Sequence, residues 1–241
     1  MGLMIIGGIM SLVGMFVTNR LKSKFEQYGQ VSLRNGMSGK EIAESMLRHY
    51  GIYDVKVQLA EGFLTDHYNP ADKTVNLSET VYNGRSVSAA AVASHECGHA
   101  VQHAEAYSML KLRSAIVPIV KVSSGMQQFL FMASILLISS AFGKTLLLIT
   151  LVTFGITTLF SLITLPVEFD ASNRALKWLE TTNTTLPQEH AGAKDALWWA
   201  AMTYVAAALA ALASFLYLLI DRKSTRLNSS HPRLSRMPSS A

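Results

Sequence analysis

The segment His95-Glu96-Cys97-Gly98-His99 has the residue types and spacing for metal-assisted hydrolysis. Two histidines four apart on a helix stand one above the other on the same face, so both imidazoles reach one zinc ion. The glutamate between them sits where it can take a proton from an attacking water. Cys97 lies about 200° around the helix from His95 and is read as a packing residue. His103 continues the row at another four-residue step. It is about 12 Å along the axis from His95, too far for both to ligate one ion near 2 Å, and reads as a supporting or surface group.

A catalytic zinc takes a third protein ligand and keeps a fourth position open. The candidate is Glu168, in Pro166-Val167-Glu168-Phe169-Asp170-Ala171-Ser172. Spacing leaves an alternative open. With Pro166 at a first helical position, Glu168 and Asp170 would be first-turn acids that complement the helix dipole.

These side chains need elements to hold them. A helix is expected from near Ser86 to about Ala104, carrying the motif in its middle. Ser38-Gly39-Lys40-Glu41 reads as a capping box that opens an earlier helix, with Ile42, Met46, Leu47 and Tyr50 on one face and Gly51 as the stop. Residues 54–59 alternate as a strand does. Residues 64–68 and 73–77 flank the turn signal Asn69-Pro70-Ala71-Asp72, which predicts a small hairpin before the motif helix. Its edge is a candidate rail for an extended peptide.

Half of the 241 residues are apolar and only 15% are charged, so an ordinary soluble domain is excluded. The apolar excess lies in four runs, 2–17, 125–142, 145–166 and 196–220, of 16, 18, 22 and 25 residues. A bilayer core needs about 20 helical residues, so all four read as transmembrane helices. Basic residues follow the first run, as Arg20, Lys22 and Lys24, and none precedes it. It therefore reads as a retained anchor and not as a secretory signal. Lys and Arg number twelve in 18–124, one in 143–144 and three in 167–195. By the positive-inside rule the two larger segments are cytoplasmic, and the second and third spans form a hairpin that returns Glu168 to the side of the motif. The expected division is a membrane anchor at 1–17, a small α+β catalytic domain at 18–124, a transmembrane hairpin at 125–166, a cytoplasmic helix at 167–195, a last span at 196–220 and a disordered tail at 221–241.

The formal net charge of +5 divides into +4 from 221–241 and +1 from everything before. A nucleic-acid partner therefore has no support in the body of the chain. The tail is rich in Ser, Arg and Pro without an apolar period, and its KSTRLNSSH run resembles translated sequencing adapter, so it is read as non-native and set aside. Cys97 is the single cysteine, which excludes a disulfide scaffold.

The run HYNPADKTVNLSETVYNGRSVSAAAVASHECGHAVQH, with KLRSAIVPIV, LPVEFDASNRAL and Met202 to Leu209 further on, resembles the neutral zinc metallopeptidases of bacterial membranes, the YugP-like family. The resemblance covers nearly everything from the first apolar run to Ile220. It implies a multi-pass bacterial membrane peptidase with a zincin-like domain, one zinc per chain and a protein or peptide substrate. The HtpX-type membrane peptidases share H-E-x-x-H followed by E-x-x-A-D. On that pattern the metal ligands are His95, His99 and Glu168, the general base is Glu96, and Ala171 takes the alanine position. Ser172 departs from the pattern, because those relatives carry Asp there to support a zinc-bound histidine.

The expected function is a membrane-embedded zinc metalloendopeptidase acting at the cytoplasmic surface. No single donor for the developing oxyanion is identified by the sequence; the candidates are His67, His103, Tyr68, Tyr82 and Arg174. The alternative is a catalytically silent zinc-binding membrane scaffold or adaptor. The intact Glu96 argues against it, since a structural zinc site needs no base.

Overall fold

The computed structural model describes residues 2–62 and 65–229. Its elements are α1 (Gly2–Gly29), α2 (Gly39–His49), β1 (Lys56–Ala60), β2 (His67–Asn69), β3 (Thr74–Ser78), α3 (Glu79–Tyr82), α4 (Val87–Ala104), α5 (Ser108–Leu136), α6 (Ala141–Thr181) and α7 (Pro187–Ser229). The fold is mainly helical with one small sheet. Among the described residues, α1, α5, α6 and α7 are long and apolar enough to cross a membrane.

The local signals between α1 and α5 act as their chemistry dictates. Ser38 caps α2 through its side chain, and Glu41 returns the bond to the Ser38 backbone N–H, closing the capping box. Gly51, at φ +69°, takes the left-handed conformation that ends the segment after α2. The sheet order is β1-β3-β2, with β1 parallel and β2 antiparallel to β3, so β2 is an edge strand. The hairpin joins β2 to β3 as expected, while Leu64, placed in its first strand, lies outside the described residues.

Helix α4 is buried nearly all round because it is built from Ala, Val, Ser and Gly. Small side chains let α2, α6 and α7 press against it. The core gathers Ile42 and Met46 of α2, Val75 and Leu77 of β3, Cys97 and Val101 of α4, and Trp178 and Leu179 of α6. Ser86 caps α4, its hydroxyl accepting from the Ala89 N–H at 3.3 Å.

The long helices extend beyond the apolar runs. Helix α6 continues without a break through Pro166 to Thr181. Pro166 is therefore not a first helical position, and Glu168 and Asp170 are interior residues of a 41-residue helix. The first-turn reading of Glu168 does not hold, because residues 141–165 supply helix before it. Helix α7 takes in residues 221–229 of the tail, and residues 230–241 lie outside the described residues.

Candidate metal centre

Helices α4 and α6 cross beside the motif, and Gly98 is what permits the approach. A Cβ at position 98 would stand 2.5 Å from the Ala171 carbonyl oxygen, inside van der Waals contact. With no side chain there, Glu168 of α6 comes level with His95 and His99 of α4.

The His95 Nε2 lies 3.4 Å and the His99 Nε2 3.5 Å from the same atom, Glu168 Oε2. The three ligand atoms lie within 4.8 Å of one another. Tetrahedral ligands about 2.0 to 2.1 Å from zinc stand about 3.3 to 3.5 Å apart, so the two histidine–carboxylate separations match a shared ion. Glu168 is 2% exposed, and its Oε2 is a buried oxygen without a hydrogen-bond partner among the described residues. An orphaned buried carboxylate oxygen is costly unless a cation completes it, and two imidazoles and a carboxylate are a zinc-type donor set. The residues fit the metal.

Further contacts orient the donors. Gln102, fully buried, donates from Nε2 to the Val167 carbonyl and to Asp170 Oδ2, both at 2.8 Å. A carbonyl only accepts, so the amide is oriented with Oε1 toward His99, whose Nδ1–H donates to it at 3.0 Å. The His95 Nδ1 lies 3.0 Å from Ser172 Oγ, which makes the contact that an aspartate makes in the related pattern. Both rings thus have their Nδ1 partnered and their Nε2 turned to Glu168. Arg113 of α5 donates to Glu168 Oε1 at 3.0 Å, so that oxygen is held by the guanidinium while Oε2 faces the two imidazoles.

Glu96 is 9% exposed, and its Oε2 accepts from the Tyr68 backbone N–H of edge strand β2 at 3.0 Å. The edge that could guide a peptide therefore also holds the carboxylate of the motif. Glu96 lines a cleft of about 260 Å³ with His95, His99, Glu168, His67 and Arg113. A larger cavity, about 670 Å³ between α6 and α7, touches Ser172 but includes none of His95, His99 and Glu168.

The other candidates are placed as follows. His67 lines the cleft, with its Nδ1 2.7 Å from the Thr65 carbonyl. His103 pairs its Nδ1 with the Tyr68 hydroxyl at 2.7 Å and is not part of the cleft wall. Arg174 is held by Asp170 and Glu105. The Tyr82 ring lies beneath Lys40, away from the histidines. Cys97 faces the Ala43 carbonyl of α2, and burial pushes its thiol up, so it stays protonated. Sequence reasoning missed Gln102 and Arg113, and also Tyr204, which lines the same cleft. Gln102 shares the His99 face three residues on. Arg113 is one of three basic residues of α5, with Lys111 and Lys121, and its spacing does not single it out.

The chain matches, over residues 3–222, the family described as "Putative neutral zinc metallopeptidase". It belongs to that family. The YugP-like resemblance of the sequence is thereby confirmed. Within the curated proteins the chain is 45% identical over 193 residues to the "Putative membrane protease YugP" of Bacillus subtilis (strain 168), covering 80% of this chain and 84% of that relative. No solved structure matches the chain. Membership of a zinc peptidase family and the clustering of His95, His99 and Glu168 point to the same metal.

Proposed function

We propose that this family member is a zinc metalloendopeptidase that hydrolyses peptide bonds at the cytoplasmic membrane surface. The carrying observation is the unpartnered Glu168 Oε2 with two histidine Nε2 atoms 3.4 and 3.5 Å away. His95, His99 and Glu168 would hold one zinc, which would supply Lewis-acid polarisation of the scissile carbonyl and a more acidic water. Glu96 takes a proton from the attacking water and passes it to the leaving amine nitrogen as the C–N bond breaks. The Tyr68 N–H fixes one oxygen of Glu96, leaving the other to move the proton. Ser172, Gln102 and Arg113 keep the three ligands in register.

The proposed placement has α1, α5, α6 and α7 in the bilayer and the region of α2 to α4, with its zincin-like helix and sheet, at the cytoplasmic face. The twelve Lys and Arg of 18–124 favour that side, and the α5–α6 hairpin brings Glu168 back to it. A protein or peptide is the substrate, and nucleic acid is not a partner.

The test is cleavage of an unfolded protein by the full chain purified in detergent, beside Glu96→Gln, with zinc measured in both. One zinc per chain in both and cleavage by the parent alone is expected, since loss of a general base costs about 10² to 10⁴ in rate. Cleavage in neither, with zinc in both, overturns the enzyme in favour of a zinc-stabilised scaffold. Loss of zinc in Glu96→Gln overturns the role given to Glu96.

A further inference from the structure

Two clefts of different character meet at the metal-binding side chains. Asp66, His95, Glu96, Glu168 and Tyr204 line both. The larger opens between β2 and α5 and carries His67 and Arg113. The smaller, about 180 Å³, begins one helical turn earlier on α4, at Val92, and is walled by Leu21 and Phe25 of α1 and by Leu197 and Ala200 of α7.

We propose that the smaller cleft is a side-chain subsite that selects a branched aliphatic or aromatic residue on one side of the scissile bond. This rests on the peptidase reading above. A peptide carbonyl presented to His95, His99 and Glu168 has one flank at the Val92 end of the motif and the other toward His99. Beyond the side chains the two clefts share, the first flank meets mostly apolar groups with Ser172 and Thr203 among them, and the second sets His67 and Arg113 beside Leu110 and Val117. The space equals about six waters at about 30 Å³ each, enough for one large side chain and too small for a folded segment. Leu21 and Ala200 are only half-buried and stand outside the core cluster, so these walls are left uncovered. The depth comes from Ala200, where a larger residue would occupy the space.

The experiment maps cut sites in an unfolded protein by mass spectrometry, using the full chain loaded with zinc in detergent. Matched peptides then compare Leu with Ala at the preferred position. One flanking position enriched in Leu, Ile, Phe or Met is expected, with the Leu peptide cut about 10- to 100-fold faster in kcat/KM. Ala200→Phe fills the cleft and is expected to reduce that ratio to within a few fold while zinc stays near one per chain. Leu21→Ala enlarges the cleft and is expected to move the preference toward Trp, which keeps the test alive if Ala200→Phe does not fold. Cleavage with no apolar position, or with a ratio unchanged in both variants, overturns the subsite and leaves the peptidase standing. No cleavage by the zinc-loaded parent overturns the peptidase reading and the subsite with it.

Discussion

Arg113 Nη1 lies 3.0 Å from Glu168 Oε1, on the carboxylate oxygen that does not face the histidines. Helix α5 thereby reaches across to a ligand carried by α6. A guanidinium on one oxygen fixes the rotation of the carboxylate and leaves Oε2 toward His95 and His99. Arg113→Ala is expected to weaken zinc binding about 10- to 100-fold, the usual cost of removing a group that orients a ligand. Arg113→Lys, which keeps the charge without the planar fork, should recover only part of that loss. Chelator competition on the purified chain measures both. Affinity unchanged in Arg113→Ala would remove Arg113 from the site.

The Ser172 hydroxyl meets His95 Nδ1 at 3.0 Å. A hydroxyl accepts the imidazole N–H but lends it less basicity than a carboxylate. Ser172→Ala is expected to lower zinc affinity by about tenfold or more, and Ser172→Asp to bind at least as tightly as the parent. The same competition assay decides. Equal affinity in all three forms would mean that His95 is oriented by packing alone.

The sequence made the site more legible than the frame around it. His95, Glu96 and His99 follow from a local pattern, and the capping box at Ser38, the stop at Gly51 and the Ser86 cap are likewise local chemistry. Glu168 was ambiguous because Pro166 resembles a helix start, and only tertiary packing keeps α6 continuous through that proline. The helix ends were misplaced for a related reason. Apolar runs mark where a helix meets lipid, whereas α6 extends beyond its run to pack its last turns against α4. Arg113 acts across the fold, so no spacing rule could pair it with Glu168, whereas Gln102 stands three residues beyond His99 on the same helix face.

Gly98 is the one residue of the motif whose role is purely spatial. Its missing Cβ leaves room for the Ala171 backbone, where a Cβ would lie 2.5 Å from the carbonyl oxygen. Gly98→Ala removes a flexible residue from a helix interior, which alone would stabilise by up to about 1 kcal/mol. The clash forces α4 and α6 apart, and overpacking of this kind costs about 1 to 3 kcal/mol. The clash is expected to win, lowering the thermal midpoint. Zinc affinity should fall in parallel, because the same displacement withdraws Glu168 from the histidines. A stabilised variant with unchanged zinc affinity would refute the close approach.

Burial alone would lower the His99 imidazole, but the Glu168 carboxylate against it, with Glu96 and Gln102, raises it above its ordinary value of about 6.5. In the metal-free protein the protonated His99 and Glu168 therefore stabilise the fold. That contribution is fully present below the unfolded-state value near 6.5 and fades as pH rises through the elevated native one. Zinc needs the neutral ring, so proton and metal compete for one nitrogen. As pH falls through the raised value, zinc affinity is expected to drop about tenfold per unit, starting at a higher pH than for an unperturbed imidazole. Chelator competition between pH 6 and 8 measures the onset, and Gln102→Leu, which removes one of the raising contacts, should move it to lower pH. An onset below pH 6 in the parent would show that burial outweighs the Glu168 contact.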